Sequence, residues 1–181
     1  ELHQVRGDVY KTKGSPEEAI VAYREACSRF SDAGAAPSQR IDIQASIAWG
    51  LRLTNHEEEA LDISREIISQ YGQLENHGSA MANGLARHYD TIGTISLEQQ
   101  AWKTAQEMYQ KAKELREIGS RVDLLAHSDG NLACVAAMKG DWAEASDTFG
   151  RVVQLWTTLG DVRMIATGQL NQAECLIELV E

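Results

Sequence analysis

The chain has 181 residues, 43% of them hydrophobic and 24% charged, which is typical of a folded protein and argues against a disordered one. Seventeen basic and 27 acidic residues give a net charge of −10, so nucleic acid and anionic membrane surfaces are not expected as direct partners. No apolar run approaches the roughly 18 residues that a membrane-spanning helix needs.

Helical spacing and capping residues predict an all-α chain from the first residues to the last. The first connection illustrates the pattern: Gly14 suits a helix end, and Pro16 suits the first position of the next helix. Asp141 and Asp161 stand where N-caps are expected, and the loop 72–78 is predicted to be the longest and to act as a hinge. The predicted helices cover residues 2–13, 16–33, 38–54, 56–71, 79–95, 97–118, 121–139, 142–159 and 162 to the end.

An internal repeat organises these helices into pairs. Small residues recur in the second helix of each pair at steps of 41, 45 and 40, and the same steps mark small residues in the first helices. Bulky residues mostly follow four positions after each second-helix alanine. Because two helices approach closely only where a small side chain faces a large one, each pair is predicted to pack through these positions. The small residues of the second helices are Ala19, Ala60, Ala105 and Ala145, and those of the first helices are Gly7, Ala48, Gly93, Ala133 and Ala173. The residues four positions after the second-helix alanines are Tyr23, Ser64, Tyr109 and Phe149.

The first repeat, with Gly7, Tyr10, Ala19, Tyr23 and Ala26, resembles the tetratricopeptide repeat (TPR) family. The fourth repeat keeps much of the pattern, whereas the second has a serine at the usual aromatic position, and the usual proline after the second helix is missing throughout. The period of 40 to 45 residues resembles the long repeats of signal-transducing ATPases and bacterial transcriptional regulators. This resemblance implies an all-α, right-handed TPR-like helical solenoid of about four and a half helix-turn-helix repeats.

The whole chain, 1–181, is interpreted as a single TPR-like repeat domain. Because it begins and ends inside predicted helices, we expect it to be an excerpt of a longer protein. The predicted repeats cover about 1–35, 36–74, 75–119 and 120–160, followed by a final helix over 161–181.

Catalytic and cofactor signatures are not found in the sequence, and we expect neither an enzyme, a cofactor nor a metal site. His56 and Glu57 begin like a zinc-protease helix, but Ala60 stands where the second histidine belongs. The three cysteines are widely spaced, which favours reduced thiols and a cytoplasmic location. Cys134 is either a reactive thiol or a small neutral wall residue. The tryptophans of second helices, Trp102, Trp142 and Trp156, are interpreted as packing residues of the outer wall.

In the resembled family the first helices line a concave groove, and the position two residues before each small first-helix residue points into it. That position is occupied by Val5, Ser46, Thr91, Asn131 and Asn171. Consecutive asparagines could hold a peptide backbone, since a carboxamide both donates and accepts. The alternatives are that Asn131 caps or bridges neighbouring helices and that Trp49 packs within its own helix. The predicted peptide-binding set is Ser46, Trp49, Arg52, Arg87, Thr91, His127, Asn131 and Asn171.

The sequence therefore predicts a protein- or peptide-binding scaffold or sensor module. The alternative is a structural or oligomerisation segment of a larger repeat protein, with an idle groove. In that reading Leu170, Ala173, Leu176 and Ile177 of the last helix form an apolar stripe, which would stack on a further repeat or on a second copy of the chain.

Overall fold

The computed structural model describes residues 2–32, 34, 36–73, 78–118 and 121–180. All regular structure in these residues is helical, and the predicted fold class is confirmed. Residues 74–77 of the predicted hinge lie outside the described residues, as do Gly119 and the last predicted residues of the second and ninth helices. The helices are α1 (Leu2–Lys13), α2 (Pro16–Asp32), α3 (Pro37–Leu53), α4 (Glu57–Tyr71), α5 (Ser79–Glu98), α6 (Trp102–Glu117), α7 (Val122–Lys139), α8 (Trp142–Leu159) and α9 (Val162–Glu178).

One predicted boundary was wrong, between α5 and α6. The sequence pattern ended α5 at residue 95 and began α6 at residue 97, whereas α5 continues to Glu98 and α6 begins at Trp102. The turn is made at Gln100, which has a positive φ of 59°. No glycine marks this left-handed position, so the sequence lacks the usual signal for a helix end.

The four turns within helix pairs have the same geometry. Each has a left-handed residue, at Gly14, Asn55, Gln100 and Gly140, spaced by 41, 45 and 40 residues. At every turn the next residue donates its backbone N–H to the carbonyl five residues earlier, over 2.8–3.0 Å. This bond closes the end of each first helix by satisfying a carbonyl that has no partner in the helix. The repeat seen in the sequence is therefore a repeat of turn geometry as well.

Small residues of first helices lie directly against aromatic rings of second helices, as the register predicted. A Cβ placed on Gly7 would lie 2.5 Å from the ring of Tyr23, and one on Gly93 would lie 2.8 Å from the ring of Tyr109. These distances leave no room for even a methyl group. The contact between two helix backbones thus depends on the glycines.

A second feature accompanies this packing, at the residue after each small position. The hydroxyl of Tyr23 donates to Asp8 over 2.7 Å, and the hydroxyl of Tyr109 bonds with Thr94 over 3.0 Å, in both cases across fifteen residues of sequence. In the fourth repeat the corresponding residues are Phe149 and Cys134. Phe149 has no hydroxyl, so Cys134 need not form a hydrogen bond with it. Desolvation raises the pKa of Cys134 to about 11, so its thiol is neutral at pH 7. These facts favour the wall residue over the reactive thiol.

The face of α9 that would receive a further second helix is exposed. In α1 and α5 the small residue packs on the following helix, but α9 has no such helix among the described residues, and Ala173 is exposed. The other three residues of the predicted stripe have exposed fractions of 61% for Leu170, 50% for Leu176 and 55% for Ile177. The opposite side of α9 packs on α8, with Gly168 and Cys175 buried. The final helix is therefore half-packed.

Candidate functional site

The five first-helix positions that were predicted to point into the groove do not form a uniform row. Val5 is exposed, Ser46 and Thr91 are buried, and Asn131 and Asn171 are half-buried. The hydroxyl of Thr91 donates to a carbonyl of its own helix over 3.0 Å, and that of Ser46 does the same over 3.2 Å. The structure thus separates two buried hydroxyls from two partly accessible carboxamides.

The predicted groove cations are paired within the chain. Arg87 contacts the Asp42 carboxylate and donates to the Ser46 hydroxyl over 2.9 Å, which joins α5 to α3. Arg52 donates to Glu98 over 2.8 Å, again between α3 and α5. Both arginines hold first helices together, so a ligand could use them only by sharing or displacing these carboxylates.

Trp49 is half-buried on α3, and the ammonium of Lys11 lies 4.7 Å from the centroid of its ring. The cation faces the electron-rich surface of the indole, which is a favourable geometry between α1 and α3. Trp49 therefore packs between helices as well as contributing to the surface.

A buried ionic network occupies the centre of the molecule, and the sequence did not reveal it. Arg116 of α6, with an exposed fraction of 5%, pairs with Asp90 of α5 through both terminal nitrogens and donates to Ser128 of α7 over 2.8 Å. Asn131 donates one amide hydrogen to Asp90 over 3.3 Å. Asn131 thus bridges α7 and α5, as the alternative prediction for this residue proposed. Its Oδ1 makes no hydrogen bond to another described residue.

A cavity of about 260 Å³ between α7, α8 and α9 brings three of the predicted residues together. His127 and Asn131 come from successive turns of α7, and Asn171 comes from α9. The carboxamide of Asn171 makes no hydrogen bond within the described part of the chain. Two carboxamides therefore face one cavity from different helices. The remaining lining residues are Ala126, Gly130, Cys134, Phe149, Val152, Trp156, Met164, Thr167 and Gly168.

Trp156 was predicted to be a packing residue of the outer wall. It does pack in a buried apolar cluster, but its ring faces the inside of the molecule, so only the predicted placement on the outer wall was wrong. Trp156 is 4% exposed and lines the cavity, and its ring meets that of His127 edge to face, with centroids 5.2 Å apart and planes at 77°. A signal was present in the sequence: Ala145, Phe149 and Val152 precede it at helical spacing on one buried face of α8. Trp156 continues that inward stripe by one more turn.

The cavity carries no formal charge at neutral pH. None of its lining residues is Asp, Glu, Lys or Arg. Desolvation and the nearby Arg116 guanidinium lower the pKa of His127 below its usual value, so its imidazole is neutral at pH 7. The cavity is therefore suited to uncharged groups.

A larger cavity of about 480 Å³ lies near the N-terminal ends of α3, α5 and α7, and it includes none of the eight predicted residues. Its charged groups are already paired: Asp42 with Arg87, Arg116 with Asp90, and Arg121 with Asp123. Polar but internally neutralised, it offers a ligand little unpaired charge.

Within the described residues, no cluster of His, Cys, Asp and Glu has a geometry that could hold a metal ion. No helix in the same part of the chain has both the length and the apolar character required to span a membrane.

Solved structures of helical-repeat proteins are similar to this chain. BtubC from P. vanneervenii matches with a TM-score of 0.64 and 17% sequence identity, and the match covers 88% of this chain and 63% of BtubC. The apo form of RapI matches with a TM-score of 0.65 and 12% sequence identity, and the match covers 98% of this chain and 50% of RapI. The nearly identical TPR-like repeats of a putative kinesin light chain from Podosopora anserina match with a TM-score of 0.62 and 16% sequence identity, and the match covers 97% of this chain and 84% of that one. No protein-family model matches, and the search of curated proteins gives no significant match. The likeness shows a TPR-like helical-repeat fold, and the chain spans less than two thirds of the first two structures.

Proposed function

We propose that this chain is a binding module for a protein or peptide, and that its binding surface centres on the cavity between α7, α8 and α9. The observation that carries this proposal is the meeting of Asn131 and Asn171, from two different first helices, at one uncharged cavity. A groove residue that only filled space would not need a carboxamide at both positions.

The chemistry suits the backbone of an extended peptide. A peptide unit presents one N–H donor and one C=O acceptor, and a carboxamide can satisfy both whatever side chain the peptide carries. Asn171 makes no hydrogen bond to a described residue with its carboxamide, and Asn131 uses only one amide hydrogen, on Asp90. Both groups can therefore bind a ligand without first breaking the ionic network.

The other predicted residues contribute differently. Trp49 offers a partly exposed aromatic surface beside Lys11. Arg52 and Arg87 keep α3 and α5 in place through Glu98 and Asp42, and the buried hydroxyls of Ser46 and Thr91 support the same helices. In this proposal they shape the groove while the two asparagines contact the ligand.

The test is a selection of short linear peptides displayed on phage against the immobilised chain, followed by titration of the enriched peptides. Asn131→Ala and Asn171→Ala should each weaken binding by about 1–3 kcal/mol, roughly 5- to 150-fold, because a ligand group loses its partner in a partly desolvated site. Gln110→Ala removes an exposed carboxamide from α6 and serves as the matched control. If no peptide is enriched, or if the asparagine variants bind as the wild type does, the proposal fails.

A second role follows from the exposed stripe of α9, formed by Leu170, Ala173, Leu176 and Ile177. We propose that a second copy of the chain covers it, since the corresponding faces of α1 and α5 are each covered by a helix. A sensor or scaffold role, like that of the long-repeat proteins named above, is part of the same proposal and rests on the resemblance of the repeat period. A location in the cytoplasm is also proposed, and it rests on the widely spaced cysteines.

A further inference from the structure

Trp156, which lines the cavity between α7, α8 and α9, carries a buried hydrogen-bond donor without an acceptor. Trp156 has an exposed fraction of only 4%, and its indole Nε1–H has no hydrogen-bond partner among the described residues. Buried donors are nearly always paired, because an unpaired one has lost its bonds to water and gained nothing in exchange. An acceptor supplied by a ligand would remove that penalty.

The surroundings of this donor favour an aromatic ligand group. Phe149 and Trp156 form part of the cavity wall, and the His127 ring stands against Trp156 in the same lining. Aromatic rings in such sites pair edge to face or in offset stacks. An aromatic ring entering beside Phe149 would therefore find both apolar contact and ring partners.

The charge of the cavity restricts the acceptor. Its lining includes no Asp, Glu, Lys or Arg, and the whole chain has a net charge of −10. A carboxylate would lose its hydration and gain no cation, so a neutral acceptor is favoured. Among the side chains with a six-membered aromatic ring, only that of tyrosine carries a neutral acceptor at its end.

Gly130 leaves free space at the wall of the cavity. A Cβ placed on this residue would meet no atom within 4 Å, although Gly130 lies inside α7 and lines the cavity. A glycine within a helix weakens it relative to alanine. Here the missing side chain leaves space that a ligand group can enter.

We propose that this cavity is a recognition pocket for an unmodified tyrosine side chain of the bound peptide, whose hydroxyl oxygen accepts the indole N–H of Trp156 after a small shift of the ring. Asn131 and Asn171 hold the flanking backbone. This proposal rests on the proposed function and adds the side chain that the site selects.

The experiment follows the indole N–H signals of the ¹⁵N-labelled chain, which has four tryptophans. The probe is N-acetyl-tyrosine N-methylamide, a single blocked residue without charge. It should shift one indole signal in a saturable way, with a dissociation constant on the order of 1 mM. That signal should be the one that Trp156→Phe removes.

Three comparisons decide the outcome. The blocked phenylalanine probe, which lacks the hydroxyl, should bind at least about threefold more weakly, since it offers the indole N–H no acceptor. The blocked glutamate probe should cause no saturable shift. Gly130→Leu should abolish binding of the tyrosine probe by filling the pocket, and Gly130→Ala should weaken it less. The proposal is overturned if the Trp156 signal does not move, if both aromatic probes act equally, or if Gly130→Leu binds as the wild type does.

This experiment separates the two proposals. If the tyrosine probe binds but phage selection yields no peptide, the cavity is a tyrosine-binding site, but the binding-module proposal falls and so does the role of the pocket in a bound peptide. If peptides are enriched and depend on Asn131 and Asn171 but carry no common tyrosine, the pocket falls and the module stands. Because the titrations of the wild-type chain with the three probes do not use Gly130→Leu, a Gly130→Leu chain that fails to fold would not block the test.

Discussion

The imidazole of His88 lies 3.2 Å from the hydroxyl of Ser64, at the position where the other repeats carry an aromatic ring. Its Nε2 is 3.1 Å from the carbonyl of Ile41, which can only accept, so Nε2 carries the proton and Nδ1 accepts from Ser64. Both side chains are fully buried. In the second repeat, whose pattern is weakest in the sequence, the imidazole of His88 from α5 thus lies beside Ser64, where the other repeats have an aromatic side chain of their own.

This arrangement predicts a loss of stability on mild acidification. Burial lowers the pKa of His88 to about 4, against about 6.5 in an unfolded chain. Above pH 6.5 the imidazole is neutral in both states, and between pH 6.5 and 4 only the unfolded state gains a proton. The His88 contribution should therefore fall by about 3 kcal/mol as the pH drops through this window.

The measurement is urea unfolding at intervals from about pH 7.5 to about pH 4.5, which spans most of that window. His88→Gln keeps hydrogen-bonding capacity without a titrating group, so its stability should vary less with pH, whatever its value at neutral pH. Other titrating groups act on both chains alike. Parallel curves for the two chains would contradict the prediction.

The two kinds of helical glycine should respond in opposite ways to the same substitution. Gly93→Ala should destabilise the chain by about 1–3 kcal/mol, because its Cβ would lie 2.8 Å from the Tyr109 ring. Gly130→Ala should stabilise it by about 0.5–1 kcal/mol, since it gains helix propensity and meets no atom within 4 Å. Thermal and chemical unfolding of both variants checks the pair, and changes of the same sign would argue against the close contact at Gly93.

The buried pair of Arg116 and Asp90 should be strongly coupled. Arg116→Leu should cost about 3–5 kcal/mol, because it leaves a largely buried carboxylate without its cation. The double variant Arg116→Leu/Asp90→Leu should lose much less than the sum of the two single losses. A double-mutant cycle in urea measures this coupling, and additive losses would show that the pair contributes little.

Self-association through α9 should depend on its exposed stripe. Leu176→Glu/Ile177→Glu should raise the monomer fraction in analytical ultracentrifugation, because burying two carboxylates in an apolar contact is unfavourable. Thr157→Glu/Thr158→Glu adds the same charge at exposed positions of α8 and should leave the distribution unchanged. A dimer that persists in the α9 variant would place the contact elsewhere.

Much of the fold was determined by the sequence itself, because the signals that define it are local and repeated. Spacing of 3.6 residues gives the helices, and small residues at steps of 41, 45 and 40 give their pairing. Gly7 and Gly93 meet the rings of Tyr23 and Tyr109 as predicted. The turn at Gln100 was missed, since the helix ends there without a glycine such as Gly14 or Gly140.

The candidate site was decided by the tertiary structure. Ser46, Thr91 and Arg87 have the polarity of groove residues, but only the tertiary structure shows that both hydroxyls are buried. The packing of α3 against α5 also directs the Arg87 guanidinium to the Ser46 hydroxyl. Likewise, the partner of Arg116 lies 26 residues away on another helix. Helical spacing places Trp156 on the buried face of α8, but only the packing of α7, α8 and α9 brings its ring against His127 at the cavity. Helix periodicity fixes which residues share a face, whereas the rotation between helices, set by the sum of all side-chain contacts, decides which polar groups remain available to a ligand.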